Sequence, residues 1–350
     1  MSIIGCDLHS RYQIIAGLES ESGEVVTRRL EHENGEAKAF YAGLPRPSLI
    51  GIEATGYTQW FERLLAELGH ELWVGNPAEI RARAVRRQKT DRGDAEHLLD
   101  LLLTQRFPRI WIPSVEERDL RQLLKHRDKL VRMQTSVKNQ LHFLAMSQGL
   151  CRKGKLWSVR GRAELEGLEL GPWASWRRQA LLEMLDRLKP QIEELHQAVA
   201  AEAERRPEVV QLMKQKGVGP VVGLAFVLTV GPVTRFPNSR KLVSYLGLNP
   251  SEDSTGGRQR LGGISKQGNE MMRWLLLEAG HMAAQFDPEL RRKFQRLKFR
   301  RGPQVARVAL ARQLAVRLYW VLRQASVATP PVRMPGSPES RKVEATRSQL

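Results

Sequence analysis

Apolar residues recur with two different periods along this 350-residue chain. Near the N-terminus the segments SIIGCDLHS (residues 2–10), RYQIIAGLES (11–20) and GEVVTRRLEH (23–32) read as three consecutive strands. The last two are joined at Glu21, Ser22 and Gly23. A polar helix is expected around residues 34–43, then the short strand SLIGIEA (48–54). A helix through TQWFERLLAELGH (58–70) and the strand ELWVGNP (71–77) follow. A meander that leads into strand–helix–strand units predicts an α/β layered domain.

Beyond residue 115 the period lengthens. Leu123, Leu130, Val137 and Leu144 stand at seven-residue intervals and predict a long helix over 116–149. Leu181, Leu185, Leu188, Ile192, Leu195 and Val199 mark a second helix over roughly 176–204. Pro190 falls inside that seam and is expected to kink or break it. A Gly-, Trp- and charge-rich connection, residues 150–175, separates the two. The pair reads either as an antiparallel arm within one chain or as a coiled-coil dimer contact. Residues 207–325 form a third, mostly helical unit with Gly-rich interruptions. The polar, Pro- and Ser-rich end, 326–350, is expected to be disordered. The resulting domains are 1–113, 114–206, 207–325 and a tail, 326–350.

Charge adds a partner to this outline. The 56 Lys and Arg against 38 Asp and Glu leave a formal net charge of +18. Basic clusters lie at RARAVRRQK, WRRQ and LRRKFQRLKFRRG, so a polyanion, and nucleic acid in particular, is the expected partner. No apolar run approaches the ~20 residues of a membrane span, and no signal-peptide pattern opens the chain. A cytoplasmic protein without a membrane partner is expected. Cys6 and Cys151 are the only cysteines, with neither zinc spacing nor a disulfide framework. The histidines suggest no metal cluster, and His97 reads as a supporting or surface residue.

Four acids carry the candidate chemistry. Asp7 ends the apolar run SIIGCD and Glu53 lies within SLIGIEAT. Asp91 and Asp94 lie three residues apart in KTDRGDAEHLLDLLL, on one face of a helix. Two strands and a helix can aim all four at one point. Oxygen ligands suit Mg²⁺ or Mn²⁺, and paired ions can clamp the attacking and leaving oxygens of a phosphate. Four ordinary surface acids are the competing reading.

Two C-terminal motifs complete the list. In KGVGPVVG, Gly217 and Gly219 separate two helical segments, with Pro220 opening the second. This helix–hairpin–helix pattern can hold a DNA phosphate on free backbone N–H groups, or can be a packing corner. The stretch SEDSTGGRQRLGGISKQGN, 251–269, sets Ser251, Ser254, Thr255 and Ser265 among glycines, near Arg258, Arg260 and Lys266. It is either a phosphate-binding loop with a nucleophilic hydroxyl or a solvated polar loop. Tyr245 reads as a core aromatic.

GCDLHS, GIEATGY, NPAEIRARAVRRQKTDRGDAEHL, GVGPVVG and YLGLNPSEDSTGGRQRLGGISKQGN, in this order and spacing, resemble the DEDD transposases of bacterial insertion sequences. The resemblance runs from about residue 2 to 325. It implies an RNase H-like (RuvC-like) N-terminal domain, a helical coiled-coil arm and a mostly α C-terminal transposase domain with the helix–hairpin–helix. It implies that Asp7, Glu53, Asp91 and Asp94 bind Mg²⁺ or Mn²⁺, and that Ser254 links covalently to DNA. Ser251 and Ser265 stand close enough to share that assignment. It also implies donor and target DNA, a noncoding bridge RNA, and dimers that assemble to a tetramer in which one subunit's serine meets another's carboxylates. A metal-dependent nuclease using the same acids with water as nucleophile is the alternative. A noncatalytic nucleic-acid-binding descendant is a third reading.

Overall fold

The computed structural model of the chain describes residues 2–18, 23–84, 90–151, 154–252, 254 and 260–328. It divides into two compact units, residues 1–112 and 113–350.

The first unit is built on a five-stranded sheet. Its strands are β1 (Ile3–Leu8), β2 (Tyr12–Leu18), β3 (Val25–Glu31), β4 (Leu49–Glu53) and β5 (Glu71–Gly75). Their order is β3-β2-β1-β4-β5, antiparallel across β3, β2 and β1, then parallel across β1, β4 and β5. The expected meander and strand–helix–strand units are both present. Alternation along β1 assigns its two faces. Ile4, Cys6 and Leu8 enter one core with α1 (Glu36–Ala42) and α2 (Gln59–Glu67), which contribute Ala37, Tyr41, Phe61 and Leu65.

The other face of β1 and β4 carries glycines, and these set how closely a helix can lie. A Cβ on Gly5 would stand 2.3 Å from the Ala95 carbonyl oxygen and 2.4 Å from the Leu99 nitrogen. A Cβ on Gly51 would meet Leu102 at 2.7 Å. Only glycine therefore lets the backbone of α4 (Asp91–Leu103) rest against the sheet. Before α4 comes a helix absent from the expectations above, α3 (Pro77–Arg83). Its Asn76 cap accepts from the Ala78 N–H, and Pro77 opens its first turn. His97 takes the supporting role, its Nε2 3.1 Å from the Ile80 carbonyl, so that α4 is tied to α3.

The second unit is helical. Ser114 and Glu117 form a capping box that starts α5 (Val115–Ser147). After α6 (Val159–Glu166), inside the Gly-, Trp- and charge-rich connection, comes α7 (Pro172–Glu204). Glu116 pairs with Arg206, Arg127 with His196, and Gln140 with Arg177, so positions rise along α5 as they fall along α7. The two helices are antiparallel partners within one chain. Leu130, Val137, Leu141 and Leu144 share a core with Leu182, Leu185, Leu188 and Ile192. Pro190 lies inside α7 without ending it, contrary to a break there. Apolar burial on both sides of the proline, at Leu188 and Ile192, opposes the ~3 kcal/mol a helical proline costs.

The base of this arm joins a second core. Leu120, Leu124, Val199 and Ala203 pack with α8 (Pro207–Met213), α9 (Pro220–Val230), α10 (Ser239–Tyr245), α11 (Glu270–Phe286) and α13 (Pro303–Ala328). The basic α12 (Pro288–Arg301) precedes α13. Between α10 and α11 stands a hairpin, β6 (Pro250–Glu252) and β7 (Leu261–Ile264), in the segment expected to be a loop. Residues 329–350, most of the expected tail, lie outside the described residues. No helix among the described residues is long and apolar enough to cross a membrane.

Candidate active site

Register brings two of the four acids to the same level. β1 and β4 run parallel with Cys6 beside Ile52, and Asp7 and Glu53 are the next residues on the two strands. Both are half-buried, and both follow the face that carries Gly5 and Gly51. That is the face on which α4 lies. Asp91 and Asp94 occupy the first turn of α4, whose cap is Thr90 accepting from the Gly93 N–H. Carboxylates there are favoured by the helix dipole.

The tightest part of the cluster differs from the expected tetrad. Ligand atoms of Asp7, His9 and Asp91 lie within 4.8 Å of one another. His9 Nε2 is 3.0 Å from Asp7 Oδ2 and 3.5 Å from Asp91 Oδ2. Glu53 and Asp94 do not join this group. Asp94 nevertheless acts on it, since its charge, with that of Asp91, adds to burial in raising the Asp7 carboxyl above the ordinary range. His9 opposes that rise by hydrogen bond and charge. The histidines suggest no metal cluster in the sequence, and in the structure His9 stands beside two of the acids. The signal was available: His9 follows Asp7 by two residues, and alternation puts both on one face.

Tyr12 is a further neighbour that sequence reasoning passed over. It lies across from His9 where β1 turns into β2, and the rings stack with centroids 4.6 Å apart. Its hydroxyl donates to Asp91 Oδ2 at 3.0 Å, and that bond holds the phenol above its usual range. The Arg29 guanidinium covers the Tyr12 ring at 3.8 Å. Tyr57, from GIEATGY, donates to the Leu8 carbonyl at 3.2 Å and so ties that motif to the end of β1. The donor set of carboxylate oxygens and one imidazole, with the half-buried Asp7 among other acids, suits a divalent cation.

The serine motif is placed differently. Two glycines fix the base of the hairpin: Gly247 at φ +68° and Gly268 at φ +71°. Cβ atoms there would fall 2.1 Å from the Gln267 oxygen and 2.2 Å from the Tyr245 oxygen. The buried Arg273 donates to the Gln267 carbonyl. Within the hairpin, Ser254 is exposed, donates to Glu252 Oε1 at 2.7 Å and accepts from the Arg260 N–H at 3.3 Å. Ser251 spends its proton on the Gly263 carbonyl, 3.0 Å away across the strands. The Ser265 N–H donates to the Asn249 carbonyl. Lys266 is exposed, at φ +55°. Arg258 lies outside the described residues, as does Thr255.

Tyr245 is 40 % exposed, which corrects its reading as a core residue. Its ring leans on Phe236, and its hydroxyl reaches the Thr229 carbonyl at 3.4 Å. Gly217 and Gly219 form the expected corner between α8 and α9. Gly217, at φ +83°, is pressed on α11, where a Cβ would meet the Ala279 oxygen at 2.3 Å. Gly219 caps α9 and faces open space.

Comparison with known proteins finds two family models and several transposases similar to this chain. Residues 4–145 match the family model of the DEDD transposases of IS110 type. Residues 210–295 match that of the IS116/IS110/IS902 transposase family. A Pseudomonas aeruginosa protein named "Probable family 20 transposase" is 28 % identical over 92 % of this chain and 96 % of its own length. The transposase for insertion sequence element IS1111A of Coxiella burnetii is 26 % identical over 79 % of this chain and 76 % of its own. That for element IS1328 of Yersinia enterocolitica is 24 % identical over 92 % and 96 %. With both family models matched in order along one sequence, the chain belongs to the IS116/IS110/IS902 family of insertion-sequence transposases.

Proposed function

We propose that this transposase cuts and rejoins DNA strands by transesterification, with Ser254 as the nucleophile and the acids of the sheet unit as the metal site. The observation that carries the proposal is the convergence of Asp7 and Asp91, 84 positions apart in sequence, within one group of ligand atoms. On this reading the sheet unit is RNase H-like, and Asp7 and Asp91 hold Mg²⁺ or Mn²⁺ with Glu53 and Asp94 beside them. A divalent ion there would polarise the scissile phosphate and offset charge on its oxygens.

The remaining work falls to the hairpin. Ser254 has one proton and two lone pairs. Glu252 holds the proton and the Arg260 N–H holds one lone pair, and the other would attack phosphorus. In the step proposed, the Ser254 oxygen–phosphorus bond forms and the phosphorus–O3′ bond breaks. The serine proton passes to Glu252, and the departing 3′ oxygen takes a proton from solvent. The product is a 5′-phosphoserine ester with a free 3′-OH. Attack by a 3′-OH from another strand reverses the step, so strand exchange needs no ATP. Arg258, Arg260 and Lys266 offset the phosphate charge. Ser251 is the poorer nucleophile, because its proton is bound to a carbonyl that cannot accept it.

The partners follow from the same reading: donor and target DNA, a bridge RNA that pairs with both, and a tetramer of two dimers. The Gly219 end of α9 would take a DNA phosphate without reading bases. The test is cleavage of element-end DNA with Mg²⁺ or Mn²⁺, by wild type and by the Asp7→Asn and Glu53→Gln variants. Activity is expected in the wild type alone and should vanish with EDTA. Full activity in both variants removes the metal-site reading.

A further inference from the structure

The acid tetrad leaves one residue of the cluster without a role. His9 lies outside it, yet its Nε2 is 3.0 Å from Asp7 Oδ2 and 3.5 Å from Asp91 Oδ2, within one group of potential ligand atoms. We propose that His9 is a ligand of the catalytic ion, so that the site is a mixed nitrogen–oxygen site which prefers Mn²⁺ to Mg²⁺. The proposal rests on the metal-site reading above.

Three observations support it. Donors at about 2.0–2.1 Å in octahedral geometry stand about 3 Å from their neighbours. The separations here are 3.0 Å from His9 to Asp7 and 3.5 Å from His9 to Asp91. One ion can therefore be reached by all three with small side-chain movements. The imidazole is also held in place from the other side, stacked on Tyr12, whose ring lies under Arg29. Finally, Tyr12 donates to the Asp91 oxygen that faces His9, the kind of outer hydrogen bond that orients a ligating carboxylate. A free surface histidine has none of these restraints. Mg²⁺ takes oxygen ligands and retains water, whereas transition ions accept imidazole readily. Exchange of one oxygen for this nitrogen should therefore shift selectivity toward Mn²⁺.

The test uses the full-length protein loaded with Mn²⁺ alone, without DNA. Electron spin-echo spectra of the bound ion report directly bonded nitrogen. The wild type should show ¹⁴N modulation that changes to ¹⁵N when only histidine is labelled. His9→Gln should lose that modulation and bind Mn²⁺ on the order of 10-fold more weakly, with Mg²⁺ affinity changed far less. Mn²⁺ bound in an Asp7-dependent way but without histidine nitrogen overturns the proposal while leaving the metal site standing. No Asp7-dependent binding in the wild type overturns both. Because the wild-type spectrum decides the matter, the outcome does not hinge on how the variant folds.

Discussion

The acids and the serine of this chain are held in opposite ways. Asp7, Glu53, Asp91 and Asp94 project from two paired strands and the first turn of a helix that lies directly on them. Gly5 and Gly51 permit that approach, since any Cβ there would overlap α4 or its side chains. Ser254 instead is exposed beside a two-stranded hairpin, which Gly247, Gly268 and Arg273 fix at its base, and bonds to Glu252 and Arg260. A metal site must place charges against their own repulsion, and only a packed frame does that. A nucleophile that must meet one DNA strand and later release another needs access more than rigidity. On the proposed function, this contrast would separate a preformed electrostatic site from a reactive group whose geometry the bound strand completes.

The largest effects should come from the rigid side. Asp7→Asn or Asp91→Asn should lower strand cleavage on the order of 10³-fold, measured with element-end DNA at saturating Mg²⁺. Glu252→Gln sharpens the other side, since the amide keeps the size of the group and cannot take the serine proton. A loss on the order of 10²-fold is expected in single-turnover cleavage, with DNA affinity unchanged. A rate equal to wild type would leave Glu252 as a structural partner of the hairpin only.

Stability should respond in the same unequal way. Gly5→Ala forces a Cβ onto the α4 backbone and should cost about 1–3 kcal/mol, seen as a lower denaturant midpoint. Smaller still is the effect of the Asp7 charge on the metal-free protein. Burial and the neighbouring acids raise its folded-state carboxyl above the unfolded value, so the folded state binds the proton more tightly. Its contribution is therefore most favourable at low pH and declines as pH rises from the unfolded value through the folded one. At neutral pH without metal, Asp7→Asn should equal or exceed the wild type in Tm, while losing the Tm rise that Mn²⁺ gives the wild type.

Much of the frame could be read from residue patterns. The five strands, α4 and the α5–α7 pair follow from the spacing of their apolar residues. Asp7 and Glu53 at strand ends, and Asp91 and Asp94 on one helical face, were legible for the same reason. What escaped depends on register and neighbours. His9 joins Asp91 only because β1 meets the start of α4, and Tyr12 stands beside His9 only through the pairing of β1 with β2. The hairpin β6–β7 is too short and too glycine-rich to show strand alternation. Pro190 signals a break locally, but the apolar surface that keeps α7 whole is supplied by α5, over 40 residues away. Tyr245 sits among apolar residues in sequence, yet α10 turns its ring partly to solvent.

The central claim, that Ser254 carries the DNA, is tested most directly by trapping. A nicked suicide substrate lets the freed strand diffuse away, so that a serine ester cannot reverse. Peptide mass spectrometry of the trapped wild type should then show a 5′-phosphoserine linkage at Ser254. Ser254→Ala should bind DNA and Mn²⁺ as the wild type does but give neither adduct nor cleavage, since the attacking oxygen is removed. Cleavage by Ser254→Ala with no adduct on any residue would contradict the account and leave water as the nucleophile.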